Sequence, residues 1–239
     1  SRLAVPGFVK KNGIDLSLYE KQTFDSYNDF FTRKIRVEER PVNPDANALI
    51  SPSDGKVSVY KIHENGHFLI KHTEYTLEQL LQDKKLAKRY LNGYIYVIRL
   101  TVDDYHRYCY AADGRKSGQR KIAGILHTVN PVANDVCPIY KMNSREYCLI
   151  KTEQFGTLLQ MEVGALMVGK ISNNQQGLGF VHKGVEKGRF EFGGSTIILL
   201  TQKNVVIPDR DLLEHTGSGM ETLVKMGEQI GRSANHLDA

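Results

Sequence analysis

Between Ser17 and Lys34, apolar Leu18, Phe24, Tyr27, Phe30 and Phe31 recur at roughly helical spacing among Glu, Lys and Asp, which predicts one or two amphipathic helices. The polar face mixes charge signs and carries no lysine stripe, so packing on the protein's own core is expected before a membrane. Arg40-Pro41-Val42-Asn43-Pro44 breaks that pattern. Strands follow at Ala48 to Ser51 and Val57 to Ile62, around a Ser51-Pro52-Ser53-Asp54-Gly55-Lys56 turn. Thr76 can cap a short helix carrying Leu77, Leu80 and Leu81. Apolar runs predict further strands at Tyr94 to Thr101, Lys121 to Asn130, Glu146 to Thr152, Thr157 to Val163 and Ala165 to Ile171, several parted by glycine. Thr196-Ile197-Ile198-Leu199-Leu200 reads as a strand with little solvent on either face, and Gly193-Gly194 before it marks a bend. Pro208 opens a polar loop containing Gly217 and Gly219.

Strands dominate and the helical patterns cluster early, so the fold class is α+β. Its expected form is an antiparallel β-rich core, sandwich-like or barrel-like, with amphipathic helices near the N-terminus. No repeat or linker divides residues 1–239, which read as a single domain. Composition agrees with a globular chain at 41% hydrophobic and 25% charged residues. The net charge of +5 favours anionic partners without naming one. Its basic residues form no recognition helix or aromatic RNA-binding signature, so nucleic acid is not expected as a partner. Three cysteines, Cys109, Cys137 and Cys148, form no CxxC pair and suit a reducing interior. No apolar run is long enough to span a bilayer.

Several chemistries find no support. His63 and His67 have helix-compatible metal spacing, but Asn65-Gly66 between them signals a hairpin, and no metal site is expected. Gly177-Leu178-Gly179 does not open a helix after a strand, a Walker loop is missing, and so is the GxSxG elbow. Asp103-Asp104-Tyr105-His106-Arg107 sets a histidine beside carboxylates where a strand meets a loop, a place suited to proton transfer. Ser195 after Gly193-Gly194 can be a nucleophile or the end of a hairpin.

The blocks FFTRKI with ERPVNP, SPSDGKV, DDYHRY, GILHTVNP, VGALMVGKI, KGVEKGRFEFGGST and VKMGEQIG, in that order from about Asp29 to Gly231, resemble the phosphatidylserine decarboxylase family. That resemblance implies a self-processing enzyme that converts phosphatidylserine to phosphatidylethanolamine with a pyruvoyl group made from its own serine. The cut maps to the Gly194-Ser195 bond, giving a β chain of residues 1–194 and an α chain of residues 195–239 that stay partners. Asp54 matches the family's triad aspartate, Ser195 its serine and His106 the histidine tied to decarboxylation. Family members commonly carry a second histidine three residues later, and here Cys109 stands in that place. His106 serving both steps, Cys109 itself, or His127 from a neighbouring strand are the substitutes, with His127 favoured for processing because a thiol is a poor orienting base. No external cofactor and no metal are implied.

The resemblance also implies a peripheral protein on an anionic membrane surface, at the cytoplasmic face of the cell membrane. Phe30, Phe31 and the loop from Pro131 to Tyr140 are candidate lipid contacts by apolarity. Oligomeric state is open, a homodimer included. Two other readings stand beside the leading one: a pyruvoyl-dependent decarboxylase of another amino acid or aminoacyl lipid, and a non-catalytic binding module, since the SPSDGKV turn resembles those of lipoyl-type carrier domains.

Overall fold

The structure, a computed structural model, describes residues 2–70, 73–124, 142–164, 170–191 and 195–236. Helix accounts for 22% and strand for 40%, with antiparallel sheets and no closed barrel among the described residues. The main sheet runs in the spatial order β12 (Gly179–Val181), β7 (Gly114–Lys116), β9 (Arg145–Lys151), β10 (Thr157–Val163), β14 (Ser195–Thr201), β5 (Tyr94–Leu100), β2 (Gly55–Lys61) and β16 (Thr222–Val224), with β8 (Arg120–Ile122) also on β9. A second sheet joins β11 (Lys170–Asn173), β13 (Glu186–Glu191) and β6 (Arg107–Cys109). The third contains β1 (Ala48–Ile50), β17 (Gln229–Ser233) and β15 (Val206–Pro208), and β3 (His67–Ile70) pairs with β4 (Thr73–Thr76) as a hairpin.

The middle of the main sheet is buried on both faces, which is why β14 reads as a continuous apolar run. Ile198 and Leu200 of β14 join Ile95, Val97, Leu159 and Met161 in one core, roofed by α3 (Leu77–Leu81) and α4 (Lys84–Ala87). Ile197 and Leu199 point the other way, into a core with Val57, Val59, Tyr96, Ile98 and Leu100. Every residue of β14 is buried. Thr76 caps α3 by accepting the Gln79 N–H, as its place in the sequence predicts.

Three expectations change. The 17–34 pattern resolves into a 3-10 turn at Leu16–Leu18 and a single turn of helix, α2 (Tyr27–Phe31), capped by Ser26. Preceding them is α1 (Val5–Asn12), whose Phe8 packs edge-on against Phe30. Phe30 and Phe31 are 0% and 1% exposed, so they belong to the core and are not lipid contacts. After Pro208 the chain forms α5 (Arg210–Gly217), which buries only Leu212 and so leaves no apolar stripe in the sequence. Of the strand expected over 121–130 and that over 165–171, residues 125–130 and 165–169 lie outside the described residues, as does the 131–140 loop.

The Asn65-Gly66 dipeptide does make the turn before β3, with His67 on Glu74 at 2.6 Å. Among the described residues no cluster of potential ligands could hold a metal ion.

Candidate active site

Three adjacent strands bring the serine and the aspartate to one end of the main sheet. Ser195 pairs with Leu100, and Thr196 with Arg99, across β14 and β5. On the other side of β5, Lys56 pairs with Arg99, so Gly55 comes level with Leu100. The starts of β2 and β14 therefore run in parallel, two strand spacings or roughly 10 Å apart, with β5 between them. Asp54 precedes the first and Gly194 the second, Gly193 and Gly194 themselves lying outside the described residues. Gly55 has no room for a side chain: a Cβ would meet the Arg99 carbonyl oxygen at 2.8 Å.

The SPSDG turn is stitched from several directions. The Ser51 hydroxyl donates to the Ser53 carbonyl at 2.7 Å, the Ser51 N–H to Glu228 O at 2.7 Å and the Cys109 N–H to Pro52 O at 2.8 Å. Asp54 is thereby presented to Arg40, whose Nε and Nη2 take its two carboxylate oxygens, the first at 2.7 Å. The Met226 N–H donates to the same Asp54 Oδ1 at 2.9 Å. Both side chains of this ion pair are about nine-tenths buried. Such a fork fixes the carboxylate plane as a single cation could not.

His106 arrives from the loop after β5. Its Nδ1 lies 2.9 Å from the Asp104 carbonyl, so Nδ1 carries the proton and Nε2 presents a lone pair. That Nε2 is buried with no hydrogen-bond partner among the described residues, and the Phe31 ring lies with its centroid 4.0 Å from the imidazole. Burial drives its pKa down to about 3, so the ring is neutral at physiological pH. Arg33 secures the loop by donating to the Asp103 and Asp104 carbonyls at 2.9 and 3.3 Å. The Phe190 N–H donates to His106 O at 2.9 Å and so ties the strand leading to Ser195 onto the histidine.

Ser195 is 0% exposed and its Oγ has no hydrogen-bond partner among the described residues. A buried hydroxyl left unpaired is costly and needs a reason, since nearly all such groups are paired. Asp54, His106 and Ser195 share one end of the sheet, but no hydrogen bond joins any two of them; Asp54 is held by Arg40 and His106 by Asp104. His127 lies outside the described residues.

Cys109 is fully buried on β6, and burial pushes its thiol up to about 12. A thiol that stays protonated can neither attack nor take a proton at neutral pH. Cys109→Ala is therefore expected to leave self-cleavage within about threefold of the parent rate, since buried structural thiols are inert. Following chain cleavage on a denaturing gel checks this, and a stalled Cys109→Ala protein that still folds would return the thiol to the reaction.

Sequence reasoning missed Arg40, Arg33 and Phe31 as parts of the site. All three lie in the FFTRKI and ERPVNP blocks, where they read as a helix face and a charged break.

Compared with known proteins, residues 27–232 match the sequence profile of phosphatidylserine decarboxylase. Phosphatidylserine decarboxylase proenzyme 2 of Clostridium acetobutylicum is 46% identical over 226 residues, covering 95% of this chain and 77% of that protein. A phosphatidylserine decarboxylase proenzyme of Clostridium botulinum is 43% identical over 97% of this chain and 80% of its own length. That of Fusobacterium nucleatum is 39% identical over 98% of this chain and 80% of its own length.

Proposed function

Because the chain belongs to the phosphatidylserine decarboxylase family, we propose that it decarboxylates phosphatidylserine to phosphatidylethanolamine after cutting itself between Gly194 and Ser195. The observation that carries the site assignment is the Ser195 hydroxyl: buried, unpaired, and placed at the first residue of the central strand directly after two glycines.

Cleavage begins with loss of the Oγ proton and attack of Oγ on the Gly194 carbonyl carbon. The C–N bond then breaks, its nitrogen takes a proton, and an ester replaces the amide. Removal of the Ser195 α-proton expels the Gly194 carboxylate, and hydrolysis of the resulting dehydroalanine releases ammonia and leaves pyruvoyl. Dryness matters for the order of these events. Water at the ester would hydrolyse it and regenerate a plain serine terminus, whereas the fully buried start of β14 favours elimination. When formed, the pyruvoyl group supplies a carbonyl that takes up the electrons left by departing CO2.

The chain's own residues prepare that place. Asp54, fixed by Arg40 and the Met226 N–H, fastens the start of β2 beside it. His106, neutral with its Nε2 lone pair free, is suited to accept or return a proton at that nitrogen during decarboxylation. Lipid substrate and basic net charge support a peripheral position on an anionic membrane surface, at the cytoplasmic face. No described helix is long and apolar enough to cross a membrane.

CO2 release from phosphatidylserine vesicles should exceed release from free serine at equal serine concentration. Equal or greater release from free serine or another soluble amino acid would replace the lipid substrate while keeping the pyruvoyl chemistry. Failure of borohydride to trap substrate on the purified α chain would remove the pyruvoyl assignment.

A further inference from the structure

A second buried polar cluster lies beside the site. Glu162 of β10 and Lys187 of β13 form an ion pair at 2.6 Å with both side chains 0% exposed. Asn173 of β11 joins it, accepting from Lys187 Nζ at 2.8 Å and donating to Glu162 Oε2 at 3.2 Å. The contacts made to Glu162 fall on one carboxylate oxygen. Glu162 Oε2 takes Lys187, Asn173 and, at 3.5 Å, Gln119, while Oε1 is buried with no partner among the described residues.

The register places this oxygen's side chain next to the serine. Glu162 pairs with Ile197, and Val163 with Thr196. Paired residues share a face, and so do residues two apart on a strand, so Glu162 and Ser195 occupy one face of the sheet as diagonal neighbours. Such neighbours have Cβ atoms about 7–8 Å apart, within reach of a long side chain. A buried acceptor without a donor and a buried donor without an acceptor thus sit on adjacent strands of one face. Leaving both unsatisfied has no structural benefit, because a buried polar atom without a partner costs free energy.

We propose that Glu162 Oε1 takes the Ser195 Oγ proton that starts self-cleavage, a role for which the sequence offers His127. This rests on the cleavage reading above. The Oγ–H bond breaks with its proton passing to Oε1, the Oγ–C bond to Gly194 forms, and the C–N bond breaks as the same proton moves from Oε1 to the Ser195 nitrogen. Glu162 ends the amide-to-ester step as it began, so no further reactant is needed. Lys187 keeps the carboxylate available by holding Oε2. Burial raises the carboxyl above the ordinary glutamate range and so strengthens it as a base.

The test uses the full chain. Glu162→Gln/Lys187→Met removes the base without leaving a buried cation unpaired. It should melt cooperatively yet remain one 27.0 kDa chain, with cleavage slowed at least about 100-fold, the lower range of a lost proton-transfer group. Hydroxylamine, which cuts esters, should release no fragment from it, since no ester forms. Cleavage within threefold of the parent, or hydroxylamine-dependent fragments at the parent level, would overturn the proposal. Should the double variant fail to fold, Glu162→Asp carries the test: its carboxylate is drawn back by one methylene, and cleavage at the parent rate would be equally fatal. His127→Ala should cleave normally; its arrest while the double variant cleaves would return the role to His127. Ser195→Ala run in parallel separates the two ideas, because cleavage persisting there sinks the Gly194-Ser195 reading and not Glu162 alone.

Discussion

Ser195→Ala is expected to remain a single chain of 27.0 kDa indefinitely and to release no CO2 above background, because both the nucleophile and the precursor of the electron sink are gone. The substitution removes one buried hydroxyl that has no partner among the described residues, so the folded protein should be no less stable than the parent. That pairing of outcomes is diagnostic. A residue needed for packing would lower the melting temperature when truncated, whereas this one should abolish maturation at no structural cost. Intact mass and thermal melting on one preparation check both halves, and fragments ending at Gly194 in the alanine variant would remove Ser195 from the reaction.

The second large effect is expected at Arg40. Truncation to methionine strands the Asp54 carboxylate in a site where, among the described residues, it keeps only the Met226 N–H. Removing one partner of a buried ion pair costs about 3–5 kcal/mol, most of it the penalty of the charge left behind. Urea unfolding of Arg40→Met should show that loss, and cleavage should fall with it as the SPSDG turn loosens. Arg40→Met/Asp54→Leu should recover much of the stability, since an apolar pair of similar volume avoids the desolvation penalty, without recovering cleavage. If Arg40→Met unfolds within about 1 kcal/mol of the parent, the range of an exposed ion pair, then the fork is not what holds Asp54.

How far the sequence could be read depended on whether a feature was local. The run Ile197 to Leu200 announces a strand because burial on two faces leaves it no polar residue, and Ile95 to Leu100 and Leu158 to Val163 remain legible although Arg99, Gln160 and Glu162 interrupt them. Helix α5 shows the opposite case: one buried leucine in eight residues makes no pattern. At the site, Asp54 and Ser195 were legible from the blocks that contain them, while the partner of Asp54 was not. Arg40 lies fourteen residues away in a charged stretch, and nothing in ERPVNP separates a buried guanidinium from a solvated one. Glu162 is harder still. Within Gln160-Met161-Glu162-Val163 it reads as the polar face of a half-exposed strand, and its counterion Lys187 belongs to a different block. Cys109 shows that burial can decide a role that spacing leaves open. Its position matches a histidine, but an apolar enclosure suits a thiol that takes no part.

The place of β14 in the middle of the main sheet has a consequence for the protein if it is cut before Ser195 as proposed. Its ladder to β10 on one side and β5 on the other is built from residues beyond the cut, as are β16 on β2 and β17 on β1. The two pieces are therefore joined like the halves of a fragment-complementation pair in which the smaller half contributes an interior plank. Separating them means opening the sheet, so the barrier to dissociation is the barrier to global unfolding. Dilution does not loosen such a pair on any shorter timescale. A chain cut at the proposed bond would therefore persist as one particle made of two molecules.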